Sequence, residues 1–212
     1  MLYVRLVKPI FDRTCAAAAL VVLSPLLLGL AMIVRWRLGS PSLYWQQRIG
    51  MANRPFWLCK FRSMNNKRDR AGILLPDARR LTRFGKWLRS TSLDELPGLW
   101  NILRGEMSLI GPRPLLPRYL PLYSPEQARR HEVKPGLSGL AQTEGRNSLS
   151  WEERFRLDIE YVDQISFWLD AQILGKTLWC VWKREGVSAS DHATMYPFTG
   201  ANSDAERPAK AA

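Results

Sequence analysis

The sequence predicts an α+β fold that is mainly α-helical: an apolar N-terminal helix broken at its centre, a small β-hairpin, and several amphipathic helices behind it. Three observations carry this. The uncharged run "CAAAALVVLSPLLLGLAMIV" (15–34) is interrupted by Ser24-Pro25. Aromatic and β-branched runs flank a turn-like "GMANRP" (50–55). Farther on, apolar residues recur at helical spacing among basic ones.

As a helix, the apolar run is about 30 Å long at about 1.5 Å per residue, enough to cross a hydrocarbon core. Pro25 removes one backbone hydrogen bond and crowds the carbonyl of Val21, so the helix is expected to kink there. Lys8 and Arg13 precede the run and Arg35 and Arg37 follow it, which draws both ends toward the cytoplasmic side. The combination predicts a re-entrant membrane hairpin over residues 1–38, broken at Ser24 and Pro25. A spanning helix is the competing reading. A signal peptide fits less well, because the run leads into "RWR" rather than a small-residue cleavage site.

Residues 39–186 then form one domain. "LYWQQRIGMANRPFWLCKF" reads as two short strands around a turn, and the polar "NNKRDRAG" as an exposed loop. Asp77 is the expected N-cap of a helix with Leu81, Phe84 and Leu88 on one face. "SWEERFRLDIEYVDQI" opens with capping-box spacing, Ser150 to Glu153, and places Phe155, Ile159 and Val162 on one side. "SFWLDAQILGKTLWCVWKREG" is an amphipathic helix carrying Trp168, Trp179 and Trp182 and ending in Lys183, Arg184 and Gly186, suited to a membrane surface or the core. Residues 187–212 are a small-residue and polar tail, expected to be partly disordered.

With 31 Lys and Arg against 19 Asp and Glu, the formal charge is +12, which favours an anionic partner: nucleic acid, an anionic membrane surface or a phosphorylated small molecule. Nine Trp, several beside cations, suit a membrane interface. Cys15, Cys59 and Cys180 lack CxxC spacing and the chain has only two His, which argues against a disulfide framework or a zinc site.

Against this basic background stands the carboxylate pair of "LRSTSLDELPGLW", Asp94 and Glu95. Ser92 and Glu95 have capping-box spacing, so the pair could simply open a helix. Pro97 weakens that reading, because a helix capped at Ser92 would place its ring against the carbonyl of Leu93. In either register the carboxylates lie in the field of a helix N-terminus, which favours their ionised form. An ionised Asp is a competent nucleophile toward phosphorus, and two adjacent carboxylates can hold Mg²⁺ together with substrate phosphates. Downstream, "GPRP" fixes Arg113 in a stiff turn, where a guanidinium can present paired donors to phosphate oxygens or merely be exposed. "KFR" sets Lys60 and Arg62 on one side of a strand. "EGRN", with Arg146, follows a Gly-rich loop able to bring N–H groups near an anion.

Taken together, "KFRSM", "RLTRFGKWLRSTSLDELPGLWNILRGEMSLIGPRPLLPRYLPLY", "HEVKPGLSGLAQTEGRN" and "SWEERFRLDIEYVDQISFWLD", behind a Ser-Pro-broken apolar helix, closely resemble the bacterial sugar transferases, the monotopic phosphoglycosyl transferases, over roughly residues 8–186. The resemblance implies transfer of a sugar phosphate from a UDP-sugar to a polyprenol phosphate such as undecaprenyl phosphate, releasing UMP, with Mg²⁺ as cofactor. It implies a cytoplasmic-face catalytic domain attached to the bacterial inner membrane. Asp94 would be the nucleophile and a Mg²⁺ contact, with Glu95 beside it. Arg113 would bind phosphate, and Lys60, Arg89, Arg146 and Asp170 would line the site. The departures, Pro9, Gly98, Leu140, Thr143 and Glu144, bear on lipid and sugar preference. The compact form and the tail most resemble small members that act on UDP-N-acetylated amino sugars. A nucleic-acid-binding module is the rival from another class. It leaves the apolar opening unexplained and has no binding motif, so no nucleic acid partner is expected. A scaffold without catalysis would require changes at Asp94 or Glu95, and both are intact.

Overall fold

The computed structural model describes residues 2–145, 149–183 and 197–200. The apolar opening forms two helices, α1 (Lys8–Val22) and α2 (Ser24–Leu38), after one π-helical turn at Tyr3–Val7. The segments Tyr3–Val22 and Ser24–Leu38 are bent by 65° at the break. Pro25 has no N–H to donate, and the Val21 carbonyl is taken by the Ser24 hydroxyl at 2.7 Å, so the kink leaves this group satisfied. Among the described residues no single helix is long and apolar enough to cross a membrane; the bent pair passes that test only together. One side of the pair packs on the domain through Ala16, Leu30, Val34 and Leu38. Around the bend, Val21, Val22, Leu26 and Leu28 are exposed.

The hairpin is β1 (Leu43–Ile49) and β2 (Pro55–Phe61), antiparallel from Leu43 opposite Phe61 to Ile49 opposite Pro55. Ala52 and Asn53 make its turn at φ 55° and 59°. The pairing, with its period of two, sets Gln46 and Arg48 on the same face as Leu58 and Lys60.

The helix expected from Asp77 is broken. α3 (Asp77–Arg80) stops where Leu81 turns extended and bridges to Met64, and α4 (Arg83–Ser90) starts anew with Thr82 as its cap, accepting from Gly85 N at 3.0 Å. Asp77 is therefore the first helical residue rather than the cap, and it pairs with Arg80. Gly85 lies so close to the preceding loop that a Cβ would stand 1.8 Å from the Ser63 carbonyl oxygen.

Ser92 is left-handed at φ 56° and caps nothing. Leu93–Gly98 form a 3₁₀ turn that contains Pro97, followed by α5 (Leu99–Leu103). Beyond it, β3 (Ser108–Ile110) pairs in parallel with β4 (Gly136–Ser138). Between these strands lie α6 (Pro125–Ala128) and two 3₁₀ turns, Pro117–Leu122 and Arg129–His131; α7 (Leu140–Glu144) follows β4.

α8 (Trp151–Gln164) opens with the expected capping box between Ser150 and Glu153. α9 (Phe167–Lys183) follows the predicted amphipathic segment, with Trp168 and Trp179 exposed; Arg184 and Gly186, the expected end signals, lie outside the described residues. Within the expected tail, Phe198 is buried against Tyr119, Trp151 and Phe155, so at least this point of the segment docks on the domain.

Candidate active site

Four stretches of chain converge on one cleft, lined by Arg48, Leu58, Lys60, Glu95, Met107, Arg113, Pro114, Gly136 and Leu137. At its centre Glu95 is held by two cations. Lys60 donates to its Oε1 at 2.7 Å, while Arg113 reaches Oε1 from Nη2 at 2.5 Å and Oε2 from Nη1 at 3.2 Å. Burial alone would push the Glu95 carboxyl up, but Arg113 and Lys60 hold it well below the usual carboxylate range. Burial pulls Lys60 below its ordinary value despite Glu95, whereas Glu95 raises Arg113.

Asp94, on the same 3₁₀ turn, is in the opposite situation. Its side chain is buried, yet among the described residues no donor hydrogen-bonds its carboxylate. Burial first, then the negative charge of Glu95, push it up to about 6, against the pull of Lys60, Arg89 and Arg113. The expected favouring of the ionised form by a helix N-terminus is not what acts here: Glu95 is held ionised by Arg113 and Lys60, and Asp94 is shifted the other way. Glu95 takes the cations, and a short 3₁₀ turn supplies no well-formed helix N-terminus.

Arg113 is held by its neighbours' backbone. Gly111 N donates to Ser138 O at 2.9 Å and Gly136 N to Pro112 O at 3.0 Å. Arg130, itself in a buried ion pair with Asp158 at 2.7 Å, donates to Arg113 O at 2.7 Å. Arg48 donates to Pro114 O at 3.1 Å, and Ile49 N to Leu115 O at 3.1 Å. Gly111 and Gly136 permit the close strand approach: a Cβ on Gly111 would lie 2.4 Å from the Lys134 carbonyl oxygen, and one on Gly136 2.1 Å from Gly111 N.

Of the sequence-derived candidates, Lys60, Glu95 and Arg113 line the cleft; Asp94, next to Glu95 on the 3₁₀ turn, does not line it but is near enough for the charges of all three to act on it. Arg89 is near enough to act on Asp94 and anchors to Ser63 Oγ at 2.9 Å. Arg62 and Asp170 do not line the cleft. Arg62 falls just beyond β2, and its guanidinium serves the end of α2, donating to Leu38 O and, at 2.8 Å, to Ser40 O. Asp170 accepts from Lys8 at 2.6 Å, Tyr3 at 2.5 Å and Tyr161 at 2.7 Å, in a network that also ties Lys8 to Asp12 and Asp12 to Ser108. It thereby fastens α1 to α9 and β3. Arg146 lies outside the described residues.

Sequence reasoning missed Arg48, Arg130 and Asp158. For Arg48 the signal was present: pairing the two halves of the hairpin around "GMANRP" sets it on the face of Lys60. Arg130 and Asp158 are far apart in sequence, and nothing local marks them as partners.

A pair of adjacent carboxylates, the half-buried Glu95 neutralised by cations and the buried Asp94 left without a hydrogen-bond donor, beside a cleft with surplus positive charge, is suited to group transfer from an anionic substrate. The chain is a transferase and belongs to the bacterial sugar transferase family, whose model matches residues 3–184. It is 50% identical over 195 residues to an uncharacterized sugar transferase, EpsL, of Bacillus subtilis, covering 92% of this chain and 96% of that one. It is 41% identical to a UDP-galactose-lipid carrier transferase of Erwinia amylovora, over 86% of this chain and 42% of that protein. With a UDP-glucose:undecaprenyl-phosphate glucose-1-phosphate transferase of Caulobacter vibrioides it shares 37% identity, over 81% of this chain and 68% of the relative. The chain thus spans nearly all of the Bacillus relative and less than half of the Erwinia one.

Proposed function

We propose that this transferase moves a sugar 1-phosphate from a UDP-sugar to undecaprenyl phosphate, giving undecaprenyl diphosphate sugar and UMP. The observation that carries the reading is the division of labour between the two carboxylates: Glu95 is engaged by Lys60 and Arg113, and Asp94 is left open for chemistry. An Asp94 oxygen attacks the β-phosphorus of the donor, the bond from that phosphorus to the bridging oxygen breaks, and UMP leaves with the electron pair. An oxygen of the lipid phosphate then attacks the same phosphorus and Asp94 departs as a carboxylate. Glu95 keeps Lys60 and Arg113 in place to meet the diphosphate oxygens. The residues fit Mg²⁺ at Asp94, whose carboxylate is not engaged, better than at Glu95, whose oxygens are taken. When bound, the ion would supply further neutralisation of phosphate charge.

The bent pair α1–α2 is read as a re-entrant, monotopic anchor on the cytoplasmic face of the bacterial inner membrane. Its supports are the exposed apolar bend and the cations at both ends of the apolar run. The donor sugar is read as an N-acetylated amino sugar, from the resemblance to the small members. Two relatives are named for galactose and glucose, so the decisive panel includes all three classes. The experiment is UMP release by purified full-length protein with undecaprenyl phosphate and Mg²⁺, beside Asp94→Asn. Release with one donor, lost in the variant, supports the reaction; release undiminished in Asp94→Asn would overturn the covalent route.

A further inference from the structure

The cleft holds one cation that the chemistry above does not use. Arg48 reaches it from the hairpin face it shares with Lys60. Its hydrogen-bond partners are neutral: Nη1 donates to Pro114 O at 3.1 Å and Nη2 to Gln46 Oε1 at 2.6 Å. Its Nε is buried and makes no hydrogen bond, and among the described residues no carboxylate forms an ion pair with it. Glu95, the one acidic residue lining the cleft, is already taken by Lys60 and Arg113. Burial and the positive charge of Arg113 pull Arg48 down to about 10. A half-buried guanidinium beside other cations, with its Nε out of reach of water and no acid of its own, is unfavourable until an anion arrives.

We propose that Arg48 is a substrate-binding residue that completes, with Arg113 and Lys60, a phosphate subsite of the cleft. The inference rests on the reading of the protein as a UDP-sugar-dependent phosphotransferase, and it adds a residue to which neither a motif nor the resemblance assigned a role. The shared chemistry is a phosphate group, which two substrates can bring: the nucleotide and the lipid. Gln46, bonded to Nη2, fixes the plane of the fork, and Pro114 ties Arg48 to the turn that carries Arg113. The two guanidiniums are thus presented together.

The test uses the full chain in detergent, as wild type, Arg48→Gln and Arg48→Lys, with equilibrium binding of UMP, uridine and undecaprenyl phosphate and a melting curve for each variant. Removing one charge-assisted contact is expected to weaken UMP binding about tenfold to a hundredfold in Arg48→Gln while uridine binding stays unchanged. Arg48→Lys should recover part of the loss, since the charge returns without the fork. Loss of undecaprenyl phosphate binding with UMP binding intact would assign the same subsite to the acceptor. Binding of all three unchanged, or weakened alike together with a lower melting temperature, would make Arg48 only a structural tie to Pro114 and overturn the inference. A folded wild type that binds neither UMP nor undecaprenyl phosphate would instead overturn the reading on which it rests.

Discussion

The position of Asp94 makes the pH dependence of the first chemical step calculable in sign and approximate size. Its carboxyl is pushed up to about 6 from the ordinary 3.8. Two units correspond to about 3 kcal/mol of preference for the neutral form. Only the ionised form can attack phosphorus, so the step should be half-maximal near the pKa and fall to about a tenth at one unit below it. The acceptor lipid confuses the measurement, because a phosphate monoester itself titrates at about 6. The clean assay is the burst of UMP from donor alone, at subsaturating donor, against pH. Arg89→Gln removes a positive charge that favours ionised Asp94 and should move the midpoint upward. The same shift appears in stability. Because the folded-state pKa of Asp94 exceeds the unfolded one, the folded chain binds the extra proton between about pH 4 and 6, and its stability falls by about 3 kcal/mol as pH rises through that window. Asp94→Asn should flatten this fall. The depressed pKa of Glu95 acts oppositely and at lower pH. A burst that is flat across the acid range, or a midpoint that Arg89→Gln moves downward, would refute the reasoning.

Three further outcomes are expected. Gly111→Ala places a Cβ 2.4 Å from the Lys134 carbonyl oxygen and should disrupt the β3–β4 contact that positions Arg113, with loss of UMP release; Gly175→Ala, in α9 with nothing within 4 Å, should leave activity unchanged and raise the melting temperature slightly. Asp170→Asn strips Lys8 of its nearer carboxylate and should destabilise the fold by about 3 kcal/mol in denaturant unfolding, because it weakens a buried ion pair. Arg62→Met should cost about 2 kcal/mol by orphaning the Leu38 and Ser40 carbonyls, while leaving the KM for the donor unaltered.

The contrast between Arg62 and Arg48 shows where reading from sequence succeeds and where it stops. Both are basic residues in or beside the hairpin, and strand alternation placed Arg62 with Lys60 because the two are separated by one position. That inference assumed the strand continues through Arg62. β2 ends at Phe61, and the guanidinium turns to the orphan carbonyls at the end of α2. Arg48, twelve positions from Lys60 in sequence, reaches the cleft because the register of the hairpin brings it there. The same holds at larger scale. Signals carried by adjacent residues were legible: the break at Ser24-Pro25, the hairpin turn, the Ser150–Glu153 capping box and the Asp94-Glu95 pair. The break before α4 was not, because it follows from Leu81 bridging to Met64 across a loop. Nor was the elevated pKa of Asp94, which follows from burial and from Glu95 taking cations contributed by β2 and by the turn after β3. The proposed nucleophile stands out by its motif, but the direction in which its carboxyl shifts could be assigned only once the tertiary partners of its neighbour were known.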